Sequence, residues 1–161
     1  MWPASASEPA DGALLLRRCL KEPLRTPLWP AHSGWASLTA GNAEQSYRLL
    51  LGCGAELAPF EEWFARFTRD PDYDPTLCLV AYDEHGLVGV AHGWTSAFIK
   101  DLAVAPRARR RGIATRLLAQ LACCYQQRGE GWVDLKVRQS NHPARQLYAR
   151  SGFRVVTGYT L

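Results

Sequence analysis

A membrane span needs about 20 consecutive apolar residues, and no stretch of this 161-residue sequence approaches that. Ala13 to Leu16 is broken by Arg17 and Arg18 too soon to be the core of a secretory signal, so a cytoplasmic protein is expected. Cysteine is scarce and odd in number: Cys19, Cys53, Cys78, Cys123 and Cys124 form no C-x-x-C pair and have no histidine couple at metal spacing. Disulfide scaffolds are thereby excluded, a reducing compartment and buried thiols are expected, and no metal site is predicted. Two phosphate-binding signatures are missing as well: there is no Gly-Lys-Ser/Thr loop and no triplet of spaced glycines. Internal repeats are also lacking. What remains, with 47% apolar and 21% charged residues, suffices for one domain whose core needs neither disulfide nor metal.

Charge is distributed unevenly. The formal net charge is +4, and Arg107, Arg109, Arg110, Arg111 and Arg116 concentrate much of the positive charge within one short segment. Between Glu56 and Glu84 the balance reverses: Glu56, Glu61, Glu62, Asp70, Asp72, Asp74, Asp83 and Glu84 face only Arg66 and Arg69. The first region invites an anion and the second a cation.

Residues 1–33 carry Pro3, Pro9, Pro23, Pro27 and Pro30, which forbids a helix and permits at most a short edge strand over 12–20. They read as a proline-rich extension, with residues 34–161 as the domain proper. A strand is expected at 34–39, and Asn42 as N-cap of a helix to Leu51. Phe60, Trp63, Phe64 and Phe67 recur at i, i+3, i+4 and i+7, a stripe that buries one helix face. Strands follow at 76–82, 87–94 and 97–104, then a helix from Gly112 carrying Ile113, Leu117, Leu118, Leu121 and Cys124. A strand through Val133, Leu135 and Val137, a helix capped by Asn141, and a last strand from Phe153 complete the order. Its class is α/β (α+β), a mixed, mainly antiparallel central sheet flanked by helices. Little sequence follows Phe153 before Gly158-Tyr159-Thr160-Leu161, so either the last strand is short, or the N-terminal segment or a second chain completes that edge.

The basic segment joins a strand to a helix. The first amides of a helix have no internal partner and point outward, so such a turn suits a phosphate. Gly112 allows close backbone approach, Ala114 keeps the first turn slim, and the arginines add bidentate donors. The neighbouring residues carry a resemblance. Leu102-Ala103-Val104-Ala105-Pro106 followed by Arg109-Arg110-Arg111-Gly112-Ile113-Ala114, then Asn141-His142-Pro143-Ala144 and Leu147-Tyr148-Ala149-Arg150-Ser151-Gly152-Phe153, resemble the two signature motifs of the GNAT superfamily, the Gcn5-related N-acetyltransferases. The likeness covers about residues 34 to 157.

The resemblance implies acetyl-CoA as acyl donor, seated where two parallel strands, 97–104 and 131–137, splay apart. Backbone groups of Leu102, Ala103 and Val104 would meet the pantetheine, with the Val104 N–H polarising the thioester carbonyl. Amides of Arg109, Arg110, Arg111, Gly112, Ile113, Ala114 and Thr115 would hold the pyrophosphate, and Asn141 the pantetheine arm. Tyr148 would be the general acid that protonates the departing thiolate. The general base stays open: Phe98 or Lys100 stands where many relatives carry a glutamate, leaving Asp101, His92 or water. Trp63, Asp70, Asp72, Tyr73, Asp74 and Trp94 mark the acceptor side, where carboxylates beside aromatics suit a cationic amine. The expected activity is acetyl transfer to the primary amine of a small molecule or peptide, by a monomer or homodimer. The alternative is a non-catalytic acyl-CoA-binding module. A nucleic-acid partner is not expected, because the basic residues are confined to one turn rather than spread over a face.

Overall fold

The computed structural model describes residues 12–156. Among them are seven strands, β1 (Ala13–Cys19), β2 (Gly34–Ser37), β3 (Cys78–Asp83), β4 (Gly86–Trp94), β5 (Phe98–Val104), β6 (Trp132–Arg138) and β7 (Arg154–Val155). Four helices accompany them: α1 (Ala43–Gly52), α2 (Phe60–Arg69), α3 (Ile113–Gln127) and α4 (His142–Arg150). The strands form one sheet in the order β2-β3-β4-β5-β6-β1-β7, antiparallel throughout except for the parallel pair β5–β6. Among the described residues, no helix is long and apolar enough to cross a membrane.

The proline-rich start departs from expectation. Its strand is not an edge: β1 pairs along its whole length with β6, from Ala13 opposite Arg138 to Cys19 opposite Trp132, and on its other side with β7. The prolines permit this, because Pro9 precedes and Pro23 follows the strand and none removes an amide within it. Ala13, Leu16 and Leu20 bury into the core, and Arg17 forms a two-pronged ion pair with Asp134 directly across β6, at 2.8 and 2.9 Å. The edge strand β7 is only two residues long. Of the alternatives for that edge, a short last strand and the N-terminal strand are both present; residues 157–161 lie outside the described residues.

α3 covers one face of the sheet with Leu117, Leu118, Leu121 and Tyr125, all essentially inaccessible. α1 and α2 cover the other through Leu50, Trp63 and Phe67. The aromatic stripe of α2 is therefore core on its inner edge, as its helical spacing predicts.

Two local features open the sheet between β5 and β6. The strands pair only at Phe98–Asp134 and Ile99–Leu135 and separate beyond. Across β5, the β4 register shifts between His92 and Gly93, so that Lys100 has no opposite residue, and a bulge of this kind adds local twist. At the bulge Gly93 admits the buried Tyr125 ring, whose hydroxyl donates to the Trp94 carbonyl at 2.6 Å; a Cβ on Gly93 would collide with that hydroxyl.

Candidate active site

The separation of β5 and β6 leaves a cavity of about 570 Å³, walled by Leu102, Ala103, Val104 and Arg109 on one side and by Arg138, Asn141, Ala144, Leu147 and Tyr148 on the other. The ladder pattern fixes which backbone groups face it. Ala105 N–H donates to the Val88 carbonyl at 2.8 Å, and bonded pairs alternate with non-bonded ones along antiparallel strands. In the register Val90–Ala103 and Gly89–Val104, Ala103 therefore spends its amide and carbonyl on β4, whereas Leu102 and Val104 turn theirs toward the gap. Of the backbone groups expected to line it, those of Ala103 face the wrong way; only its position on the wall is as expected. The Val104 carbonyl is occupied by Arg109 Nε at 3.1 Å and Cys53 Sγ at 3.6 Å, so its N–H is the available group.

At the end of the cavity the chain makes a 3-10 turn, Pro106–Ala108, and enters α3 through Gly112. Gly112 has φ +76°, and Arg110 shares the left-handed region at +62°. Two such residues so close bend the backbone sharply, and for Arg110 this costs about 1–2 kcal/mol. The first helical bond is from Arg116 N–H to the Gly112 carbonyl; the amides of residues 110–115 have no backbone acceptor among the described residues. They form the cradle that the strand-to-helix turn predicts.

The arginines of this turn serve mainly to build it. Arg107 and Arg111 both reach Asp83, at 2.8 and 3.3 Å, and the hydrogen bond from Arg107 holds that buried carboxyl well below the usual carboxylate range. Arg116 donates to the carbonyls of Leu28 and Arg111, and Arg109 braces Val104. Among the candidate residues, Leu102, Ala103, Val104, Arg109, Ala114, Asn141 and Tyr148 line the cavity. Arg110, Arg111, Gly112, Ile113 and Thr115 do not; the Ile113 side chain enters the core, and these positions offer backbone.

Asn141 caps α4, its Oδ1 accepting from Ala144 N–H at 3.3 Å. Tyr148 sits about two turns further along, 4% exposed and packed edge-on against Phe153. Burial pushes its phenol up to about 12, so the hydroxyl stays protonated at neutral pH. Sequence reasoning missed Cys53 and Gly54, which also line the cavity. The signal was present in Gly52-Cys53-Gly54, where glycines end α1 and let its C-terminal loop lie against β5.

A second cavity of about 310 Å³ lies beyond that loop, walled by Glu56, Trp63, Arg66, Phe67, Asp70, Trp94 and Lys100. Of the residues expected on an acceptor side, Trp63, Asp70 and Trp94 are here, while Asp72, Tyr73 and Asp74 are not. Asp72 instead accepts from Thr95 Oγ1 at 2.8 Å. Asp74 accepts from Thr76 and pairs with Arg128 at 2.8 Å, and Tyr73 packs edge-on against Phe67. The acidic turn is largely structural.

Neither proposed base lines either cavity. His92 is completely buried beneath α2, its ring 5.1 Å from that of Phe67. Its Nδ1 lies 3.1 Å from Asp101 Oδ2, which also accepts from Lys100 Nζ at 2.6 Å. Burial alone would raise the Asp101 carboxyl, but the hydrogen bond from His92 and the charge of Lys100 hold it well below the usual range. A carboxylate so stabilised is a poor proton acceptor.

Comparison with known proteins agrees with this architecture. Residues 42–153 match the model of the acetyltransferase (GNAT) family. A GCN5-related N-acetyltransferase from Sphaerobacter thermophilus superposes with a TM-score of 0.81 at 27% identity, covering 92% of this chain and 50% of that one. A Drosophila protein gives 0.71 at 16%, covering 91% and 48%. The ribosomal-protein-S18-alanine N-acetyltransferase of Escherichia coli gives 0.66 at 22%, covering 78% and 79%. The chain thus spans about half the length of the first two. No curated protein matches the sequence.

Proposed function

The chain belongs to the acetyltransferase (GNAT) family, and on that premise we propose that it is an enzyme transferring the acetyl group of acetyl-CoA to the primary amine of a small molecule or peptide. The observation that supports this most is the shared cavity: the gap-facing Val104 N–H and the protonated Tyr148 hydroxyl belong to residues lining one opening, and the amides of 110–115 form the turn at its end.

The residues fit the donor's chemistry. Its pantetheine arm is an extended amide, suited to the unpaired side of β5; its diphosphate suits bare amides and the positive end of α3. A side chain at Gly112 would disturb that approach, since φ +76° strains any L residue. When bound, acetyl-CoA supplies an activated acyl thioester. Val104 N–H then donates to the thioester oxygen, where negative charge develops as the amine attacks. Tyr148 gives its phenolic proton to the departing sulfur. Asn141 orients the arm from the opposite wall. Neither Asp101 nor His92 is placed to take the amine's proton, which leaves to water in the second cavity, where Glu56 is an exposed carboxylate.

An amine panel assayed for free thiol release tests this reading. Release of CoA thiol that depends on both acetyl-CoA and an amine is expected. Tight CoA binding with no release for any amine would support a binding module instead.

A further inference from the structure

Lys100 is the charged group that the proposed chemistry leaves without a task. It is the bulged residue of β5, its side chain is 22% exposed, and it stands on the wall of the second cavity. We propose that Lys100 is a specificity-determining cation and that the acceptor is an amine also bearing a carboxylate. This rests on the acetyl-transfer reading and names the substrate class of the same site.

Lys100 is held in one place. Nζ donates to Asp101, and Asp101 is itself tied to the fully buried His92. The ammonium lies 4.5 Å from the Phe67 ring centre and 5.3 Å from that of Trp94, so the aromatic faces that would attract a cationic acceptor already carry a cation. An ammonium has three donor protons and Asp101 takes one of them, leaving donors for a second carboxylate.

The remaining charges give the cavity a polarity. Arg66 is paired with Glu62, and Asp70 Oδ1 accepts from Asp72 N–H at 2.8 Å. Glu56 makes no ion pair among the described residues and follows Cys53 and Gly54, which line the first cavity. A carboxylate on the loop after Gly54 and a fixed ammonium on β5 therefore share the walls of this cavity. That arrangement reads an acceptor whose amine enters toward Glu56 and whose carboxylate stays at Lys100. From Val104 to Lys100 is about 13 Å along the strand at about 3.3 Å per residue, so the two groups are separated by a spacer.

The test uses matched acids and primary amides. Glycine, 4-aminobutyrate, 6-aminohexanoate and glycylglycine, each with its amide, are compared as acceptors, and their N-acetyl forms as ligands by calorimetry in the presence of CoA. The wild-type chain is expected to favour the best acid over its amide at least 10-fold in both readouts. Lys100→Met should erase that preference, Lys100→Arg should retain it, and Lys100→Glu should reverse it, with acetyl-CoA affinity unchanged within 2-fold. Equal use and binding of acid and amide by the wild type, or a preference that survives in Lys100→Met, would overturn the proposal. If no amine is turned over while N-acetyl acids still bind through Lys100, the acceptor site stands and the enzymatic reading fails.

Discussion

Gly112→Val is expected to weaken acetyl-CoA binding by about 10- to 1,000-fold while leaving the fold intact, as measured by calorimetry beside thermal unfolding. Gly112 holds φ +76° at the entry to α3, a conformation that costs an L side chain about 1–2 kcal/mol. The added Cβ also meets the tip of Arg116. That side chain can swing aside, so the clash alone is cheap. The backbone strain is not: relaxing to negative φ rotates the amides of residues 112–115 away from a diphosphate. Hydrogen bonds to charged groups contribute about 1.5–3 kcal/mol each; losing one, or two of about 2 kcal/mol each, gives the stated range. Stability should fall by no more than the local strain, because Gly112 is exposed and outside the core. Unchanged affinity would show that the turn does not hold the diphosphate.

Tyr148→Phe should lower the rate of acetyl transfer by about 10²- to 10⁴-fold, the range for a general acid, and leave acetyl-CoA affinity within a few-fold. The ring keeps its packing against Phe153; only the hydroxyl goes. Because burial pushes that phenol up to about 12, the wild-type acid remains loaded across the neutral range and its ionisation should not limit the rate below about pH 10. Pre-steady-state thiol release separates this step from product departure. A variant as fast as wild type would remove Tyr148 from the proton path.

The parts of this molecule that sequence made legible are those with local causes. The aromatic stripe of α2, the alternation of Val133, Leu135 and Val137, and the strand-to-helix turn at Gly112 each follow from residues close together in the chain. The parallel pair expected between 97–104 and 131–137 is present and does part beyond Ile99. The position of β1 was illegible for a different reason. Its seven residues pair with β6, more than a hundred positions later, and proline density says nothing about a partner so remote. The bulge at Lys100 was equally hidden, because a register shift depends on how β4 and β5 meet around Gly93 and Tyr125. The acidic stretch misled because its partners are side chains elsewhere in the fold or in its own turns: Asp72, Asp74 and Asp83 look available in sequence but accept from Thr95, Thr76 and Arg107. Lys100, a fixed cation of the second cavity, read in sequence only as one of two positions where a glutamate was missing.

In the proposed enzyme, acetyl-CoA lies between β5 and β6 with its diphosphate on the amides that open α3. Backbone amide resonances followed by NMR during titration with CoA test this most directly. Large, saturable shifts at Val104, Gly112, Ile113, Ala114 and Thr115, with little change along β2 and β3, are the predicted result. Shifts confined to other surfaces, or none at saturating CoA, would contradict it.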